Sequence, residues 1–324
     1  MANMVPRVSL GLPVYNGERY LAKAIEAILG QTYTDFELII SDNASTDRTQ
    51  AICQAYAQQD GRIRYLRNSH NLGAARNFNI VVEEAQGDYF KWVAHDDLMA
   101  PTYLGKCVAI LDTQPDVTIA YSGIQVIDGN GDFLHDYGVK LRTDDTIVIN
   151  RFHDLLLEWH LCFEIFGLIR LDQLRQTGLI GNFGHGDGVL LEQLCFYGRF
   201  HQIPEILFFS RKHKNQSMNV YGVYEEGDND YHHYTAWFDT SKKGKIIFPA
   251  WRLLGEHLRT IWQPRLTLTD RWRCHLYVAR WAARQRRPLL FDLIFAAKQI
   301  KQRLRNSLPE ADAVEIPELP GNPT

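Results

Sequence analysis

Short apolar runs alternate with amphipathic ones along the first hundred residues. Val8 to Val14, Phe36 to Ile40, Ile63 to Leu66 and the run around Phe90, Trp92 and Val93 have the length and composition of buried strands. Between them apolar residues recur at the helical period: Leu21, Ile25, Ile28 and Leu29, then Ala51, Ile52, Ala55 and Tyr56, then Phe78, Val81, Val82 and Ala85. Strand and helix alternate four times before Asp96. Such alternation predicts an α/β protein with a doubly wound, mostly parallel sheet.

The pattern continues less regularly. Pro101 to Thr113 reads as a helix with Tyr103, Leu104, Cys107, Val108 and Leu111 inward. Val117 to Tyr121 and Ile124 to Ile127 read as two strands, the second turning at Asp128-Gly129-Asn130-Gly131. Residues 132 to 162 predict an irregular insertion with a helix near Phe152 to Trp159. Phe163 to Arg170 reads as a strand, Val189 to Leu194 as a helix and Ile206 to Ser210 as a strand. Beyond residue 218 the composition changes. Tyr221 to Trp237 is rich in Tyr, His and acidic residues, and helices broken near Pro264 and Pro288 follow. The expected division is 1–217, with halves 1–100 and 101–217, then a mostly helical extension 218–306 and a disordered, Pro- and acid-rich tail 307–324.

Composition narrows the class. A chain of 324 residues with a formal charge of -3 has a large core and no global footprint for nucleic acid. Five scattered cysteines, at 53, 107, 162, 195 and 274, form no Cys-x-x-Cys pair; that argues against disulfides and structural zinc and suits a reducing cytoplasm. No signal-peptide core and no stretch of ~18 apolar residues is present. Residues 251–306 hold thirteen Lys/Arg against three Asp/Glu, interleaved with Trp251, Trp262, Trp272, Tyr277, Trp281 and Phe291. Such helices either lie on an anionic membrane surface, on the inner face of the membrane, or pack their aromatics on the catalytic domain, and packing is favoured.

The chemistry gathers at predicted strand ends, where ligands of open α/β sheets bind. Asp96 and Asp97 follow one strand directly; adjacent carboxylates there call for a divalent cation, or else cap the helix opened by Pro101. Neither a Gly-x-Gly-x-x-Gly fingerprint nor a Gly-x-x-x-x-Gly-Lys-Ser/Thr loop is present. Asp42 either accepts a nucleobase N–H or caps a helix. Arg76 meets either a phosphate or a carboxylate at the sheet edge. Asp187, in Gly184-His185-Gly186-Asp187-Gly188, is either a favourable charge at a helix N-terminus or a general base. A lone histidine is usually structural, but His213 follows Arg211 at a strand end, which opens a metal or diphosphate role for it and charge support for Arg211.

Taken together these segments resemble the family 2 glycosyltransferases. Pro13-Val14-Tyr15-Asn16-Gly17 looks like the family's first nucleotide loop, and Ser41-Asp42-Asn43-Ala44-Ser45-Thr46-Asp47 like its Asp-Asn-Ala-Ser-Thr-Asp loop. Asn71-Leu72-Gly73 with Ala75-Arg76-Asn77 matches its helix opening. Gly87-Asp88 leading to His95-Asp96-Asp97 matches the approach to its Asp-x-Asp motif, and Arg211-x-His213 with Ser217 matches its Tyr-Arg-x-His-x-x-x-Ser segment. The match spans roughly residues 6 to 215. It implies a GT-A fold and an inverting transfer from a nucleotide-diphosphate sugar, UDP-sugar favoured, to a glycan or glycolipid acceptor in surface polysaccharide or glycolipid synthesis.

The resemblance also assigns residues. It implies that Pro13, Val14, Tyr15, Asn16, Glu18, Asp42, Asn71, Gly73, Arg76 and Asp96 bind the nucleotide. Asp96, Asp97 and His213 would hold Mg²⁺ or Mn²⁺, Arg211 would support the diphosphate, and Asp187 would be the base. Two departures stand out: Ala94 replaces the first Asp of Asp-x-Asp, and Gly186 replaces the acid before Asp187. These favour one rival, a glycan-binding protein without catalysis. Another rival, a sugar-phosphate nucleotidyltransferase, lacks its Gly-rich, Arg-containing loop here.

Overall fold

Every residue of the first two strands is buried, β1 (Val8–Val14) and β2 (Phe36–Asp42) alike. Strands covered by helices on both faces show no in-out alternation, so the apolar runs of the sequence are the expected signature. A computed structural model describes residues 5–214, 216, 235, 238–242, 245–262 and 266–307. After β1 come α1 (Leu21–Leu29), β2, α2 (Thr49–Gln59), β3 (Ile63–Arg67), α3 (Ala74–Glu83), β4 (Tyr89–Trp92), β5 (Leu98–Met99) and α4 (Tyr103–Thr113). The second half adds β6 (Val117–Ile127), β7 (Phe133–Asp136), α5 (Val148–Leu157), β8 (Leu168–Arg170), α6 (Leu171–Leu174), α7 (Gly186–Leu194) and β9 (Arg199–Arg211). Among the described residues three further α-helices follow: α8 (Pro249–Thr260), α9 (Leu268–Arg284) and α10 (Arg286–Ser307). Ser217, most of Tyr221–Trp237 and the tail beyond Ser307 lie outside the described residues.

The sheet runs β3-β2-β1-β4-β8-β6-β9-β5, with β7 on β6. The pairs β1–β2, β2–β3, β1–β4 and β6–β9 are parallel, while β8 is antiparallel to both β4 and β6. The carboxyl ends of β1, β2, β4, β6 and β9 therefore share one edge. Pro13 sits in the central strand β1 without breaking a ladder. Gly11 accepts from Val93 toward β4, so Pro13 faces the same side, beyond the last β4 pairing of Gly11 with Trp92.

Three expectations need correcting. The two strands expected at Val117–Tyr121 and Ile124–Ile127 are one strand, β6, whose pairing with β9 shifts register around Ser122 and Gly123; a bulge absorbs the irregularity there. The strand expected over Phe163–Arg170 is a short 3₁₀ turn at Phe163–Phe166 followed by β8. Cys162 is left-handed (φ 54°), and Gly167 N–H donates to Glu164 O at 2.9 Å, so the chain curls before it can pair. Helix α2 buries Thr49 and Cys53, not Ala51 and Ala55, which are exposed.

Lys91 is an intruder in the apolar strand β4. It is fully buried between the rings of Tyr103 and Phe208, and its amine donates to Phe166 O. Burial pulls this amine down to about 7. All five cysteines are free and buried. The helical extension packs on the second half: Leu253, Ile261, Leu266, Cys274, Val278 and Trp281 join the hydrophobic layer that contains residues of α5 and α7. Among the described residues no helix is long and apolar enough to cross a membrane.

Candidate active site

Two loops at the ends of β1 and β2 are stitched into one unit. Asn16 N–H donates to Ser45 Oγ (2.9 Å), its Oδ1 accepts from Thr46 N–H (2.8 Å), and its backbone is left-handed (φ 53°). Glu18 N–H donates to Asp47, and Glu18 accepts from Arg48 N–H and Nε. Asp42 is fully buried. Its oxygens accept from Ser45 N–H (2.8 Å), Tyr65 Oη (2.7 Å) and Arg67 Nη1 (2.6 Å). Burial alone would raise this carboxyl, but those donors outweigh it and hold it below the usual range. Pro13 and Val14 are buried strand residues, and only Tyr15 is open to solvent among the first three of this loop.

The third loop joins through an asparagine ladder. Asn43 Nδ2 donates to Asn71 Oδ1 (2.9 Å) and Asn43 Oδ1 accepts from Leu72 N–H (2.9 Å). Gly73 has φ +85°, and a Cβ there would lie 2.6 Å from Phe238 O, so no other residue fits. Arg76 leaves this arrangement. It pairs with Glu83 on its own helix and lines a separate cleft with Phe183, Arg252 and Arg259.

A second corner forms where β4 and β9 end. Asp96 Oδ2 lies 2.9 Å from His213 Nε2. Asp97 Oδ1 accepts the backbone N–H of Arg211 (2.8 Å). The Arg211 guanidinium is buried, donates to Asp96 O (2.8 Å) and Asp128 O (3.0 Å), and covers the Tyr20 ring at 4.8 Å. It braces the corner from within. The two carboxyls are pushed apart in acidity. Burial, then repulsion from Asp96, drives Asp97 well above the usual range. Burial also opposes ionisation of Asp96, but His95 and His213 outweigh it and hold Asp96 below that range. The helix-cap alternative fails, since β5 follows Asp97 at once and Thr102 precedes α4.

An anionic oxygen beside an imidazole suits a divalent cation, and Asp96 with His213 supplies that donor pair. Asp97 is turned to Arg211 instead. Among the described residues, one set of three His, Cys, Asp or Glu side chains has all its ligand atoms within 4.8 Å of one another, and it is Cys162, His185 and Asp187.

That set makes the third corner. Asp187 stands in the first turn of α7, the helix that leads into β9. Asp187 Oδ1 accepts Gly188 N–H (2.9 Å), stays one-third exposed, and lies 4.0 Å from His185 Nδ1. Burial pulls the His185 imidazole down, against a smaller opposite effect of Asp187. Burial, with Asp187 and Glu164 nearby, pushes the Cys162 thiol far up. A Cβ at Gly186 would lie 2.6 Å from Gly181 O, and one at Gly188 only 2.1 Å from His185 Nε2. The absent acid at 186 is therefore built into the loop. Deeper in α7, Glu192 Oε2 lies 2.9 Å from His257 Nδ1 of α8, both fully buried.

Neither Cys162 nor His185 is recognisable as a site residue from sequence. His185 carried one signal, the glycines flanking Asp187; Cys162 comes from the weakly patterned insertion and carried none. A cleft of about 370 Å³ adjoins this region, lined by Tyr137, Trp159, Leu161, Phe163, Arg211 and Lys212 among others.

Residues 9–171 match the model of the family described as "Glycosyl transferase family 2". An uncharacterized glycosyltransferase of Rickettsia bellii is 33% identical over 160 residues, 48% of this chain and 22% of that one. Another, of Haemophilus influenzae, is 27% identical over 223 residues, 67% of this chain and 68% of that one. The chain thus spans less than a quarter of the Rickettsia relative. Among solved structures, S. aureus TarS 1–349 in complex with UDP-GlcNAc superposes with a TM-score of 0.61 at 14% identity, covering 93% of this chain and 83% of that one. The architecture is the GT-A fold, as the motifs imply.

Proposed function

Because the chain belongs to glycosyl transferase family 2, we propose that it moves a sugar from a nucleotide-diphosphate sugar to an acceptor hydroxyl with inversion. UDP-sugar is the favoured donor, in keeping with the UDP-GlcNAc of the TarS complex. The observation that carries the reading is the pairing of Asp96 with His213 where β4 and β9 end, on the edge of the sheet that also carries the stitched loops of Asn16 and Asp42; the partly exposed Asp187 is the carboxylate assigned to the acceptor.

In this reading residues 1–217 do the chemistry. The loops around Asn16, Asp42 and Asn71 hold the nucleotide. Mg²⁺ or Mn²⁺, held by Asp96 with His213, would neutralise the diphosphate as it leaves. Asp187 takes the proton of the acceptor hydroxyl; the acceptor oxygen bonds to the anomeric carbon and the bond from that carbon to the diphosphate breaks. Arg211 acts indirectly, by holding the backbone of Asp96 and the start of the His213 segment. The acceptor is a glycan or glycolipid, and surface polysaccharide or glycolipid synthesis is the proposed setting.

Replacing Asp187 by Asn tests this. Transfer should fall ~10³-fold, the usual weight of a general base, while calorimetry shows donor affinity within a factor of two of the parent (~0.4 kcal/mol). Full transfer by Asp187→Asn would overturn the assignment.

A further inference from the structure

Helix α9 has two apolar faces where an ordinary surface helix has one. Cys274, Val278 and Trp281 face inward and are buried. On the opposite side Leu268, Trp272 and Leu276, spaced four apart, form a stripe that is 81%, 63% and 48% exposed. Trp262, before the helix, is 65% exposed and sits against Arg271 and His275 of α9. Beside the stripe run Arg273 and Arg280, seven residues apart and both exposed. The packing expected for the aromatics of this segment holds for Trp281 and fails for Trp262 and Trp272.

We propose that this face of α9 is a docking surface for an anionic lipid bilayer, on which the protein lies without crossing it. The occupant is chosen by charge. Residues 251–306 carry thirteen Lys/Arg against three Asp/Glu in a chain whose net charge is -3, so the cationic charge is concentrated on the exposed apolar helices. Tryptophan and leucine between arginines suit the boundary between headgroups and acyl chains, where rings bury and guanidinium groups meet phosphates. A protein partner offering only apolar area would leave the arginine flank unanswered. The inference goes beyond the proposed transfer and stands independently of it. It gives a lipid-linked acceptor a place to be met.

The full chain should float with phosphatidylcholine vesicles that contain phosphatidylglycerol and not with phosphatidylcholine alone, and added salt should release it as the attraction is screened. Arg273→Glu with Arg280→Glu should weaken binding at least ~tenfold. Trp272→Ser with Leu276→Ser should do likewise while leaving nucleotide-sugar binding and the far-UV circular dichroism unchanged. Equal flotation with both vesicle types, no flotation of the monodisperse parent, or unaltered binding by both double variants would overturn the proposal. So would light scattering that shows a dimer dissociated by Trp272→Ser with Leu276→Ser, which would assign the face to a second copy. Donor binding measured on the same sample separates the two readings: vesicle binding without donor binding sinks the transfer and spares the surface.

Discussion

The donor-side loops and the corner around Asp187 are built on opposite plans. Around Asn16, Asp42, Asn43 and Asn71 polar side chains answer one another across three loops, and Asp42 alone takes three donors. Around Asp187 buried polar atoms are left over: His160 Nε2, Glu164 Oε2, Glu192 Oε1 and His257 Nε2 have no hydrogen-bond partner among the described residues. Both regions hold left-handed non-glycine residues, Asn16 and Ala44 in one, Cys162 and His185 in the other. In the first region hydrogen bonds hold Asn16 in that conformation; in the second it coexists with unanswered polarity. Satisfied networks rigidify, whereas partly satisfied ones are costly and responsive to what binds. On the proposed reading, the donor would meet a preformed site and the acceptor an adaptable one.

The seam between the regions should give the largest effect. Lys91 in β4 sits near 7 when folded, whereas an unfolded lysine keeps its proton to ~10.4. From about pH 7 to ~10.4 the unfolded chain binds the extra proton, so stability rises with pH across that window. Below pH 7 the cost of the buried charge is full. Lys91→Met should therefore stabilise the protein most below pH 7, by on the order of 4 kcal/mol more than at pH 10.5; urea unfolding at the two pH values measures it. Phe166 O keeps the Tyr103 hydroxyl as donor in that variant. An unchanged pH profile would show that the amine is not held neutral.

Next comes the Glu192–His257 pair. His257→Leu alone should cost about 3 kcal/mol by stranding Glu192, and Glu192→Leu with His257→Leu should restore most of it, because an apolar pair replaces an incompletely satisfied one. Equal losses in single and double variants would mean that the corner is as well satisfied as the donor side.

Asp42→Asn should cost about 2 kcal/mol and weaken nucleotide binding, since Arg67 and Tyr65 lose their acceptor. Asp42 is depressed when folded, so its contribution is complete above ~3.9 and is lost as pH falls through the folded value. An acid-unfolding midpoint unmoved by the substitution would contradict this. The smallest effect is expected at Gly186: Gly186→Ala should cost about 1 kcal/mol as Gly181 moves away, with transfer falling more than donor affinity.

This contrast also sets what could be read from the chain. The loops of Asn16, Asp42 and Asn71 were legible as loops because each is short and follows a strand, and their side chains bond to one another across neighbouring loops. The parallel core was legible because β1 and β2 are buried along their whole length. The other corner was not. Cys162 and His185 meet through left-handed turns separated by an insertion without periodicity, and no local pattern encodes that meeting. Arg76 and Arg211 were legible as cations near strand ends but not in direction, which Glu83 and the carbonyls of Asp96 and Asp128 decide. Trp272 was visible as an aromatic among arginines, but whether it faced core or solvent depended on how α9 docks.

The brace at Arg211 has a consequence for how the molecule comes into being. Its bonds to Asp96 and Asp97 span 115 and 114 residues, and the His213–Asp96 contact spans 117. The donor loops need nothing beyond residue 77 for the bonds among them. Contacts of such sequence separation form late, because the loop they close must first be ordered. On a ribosome these first loops would be complete long before β9 emerges, and a chain paused there would carry them with no Asp96–His213 pair. Assembly order alone thus withholds that pair until the second half has folded onto the first.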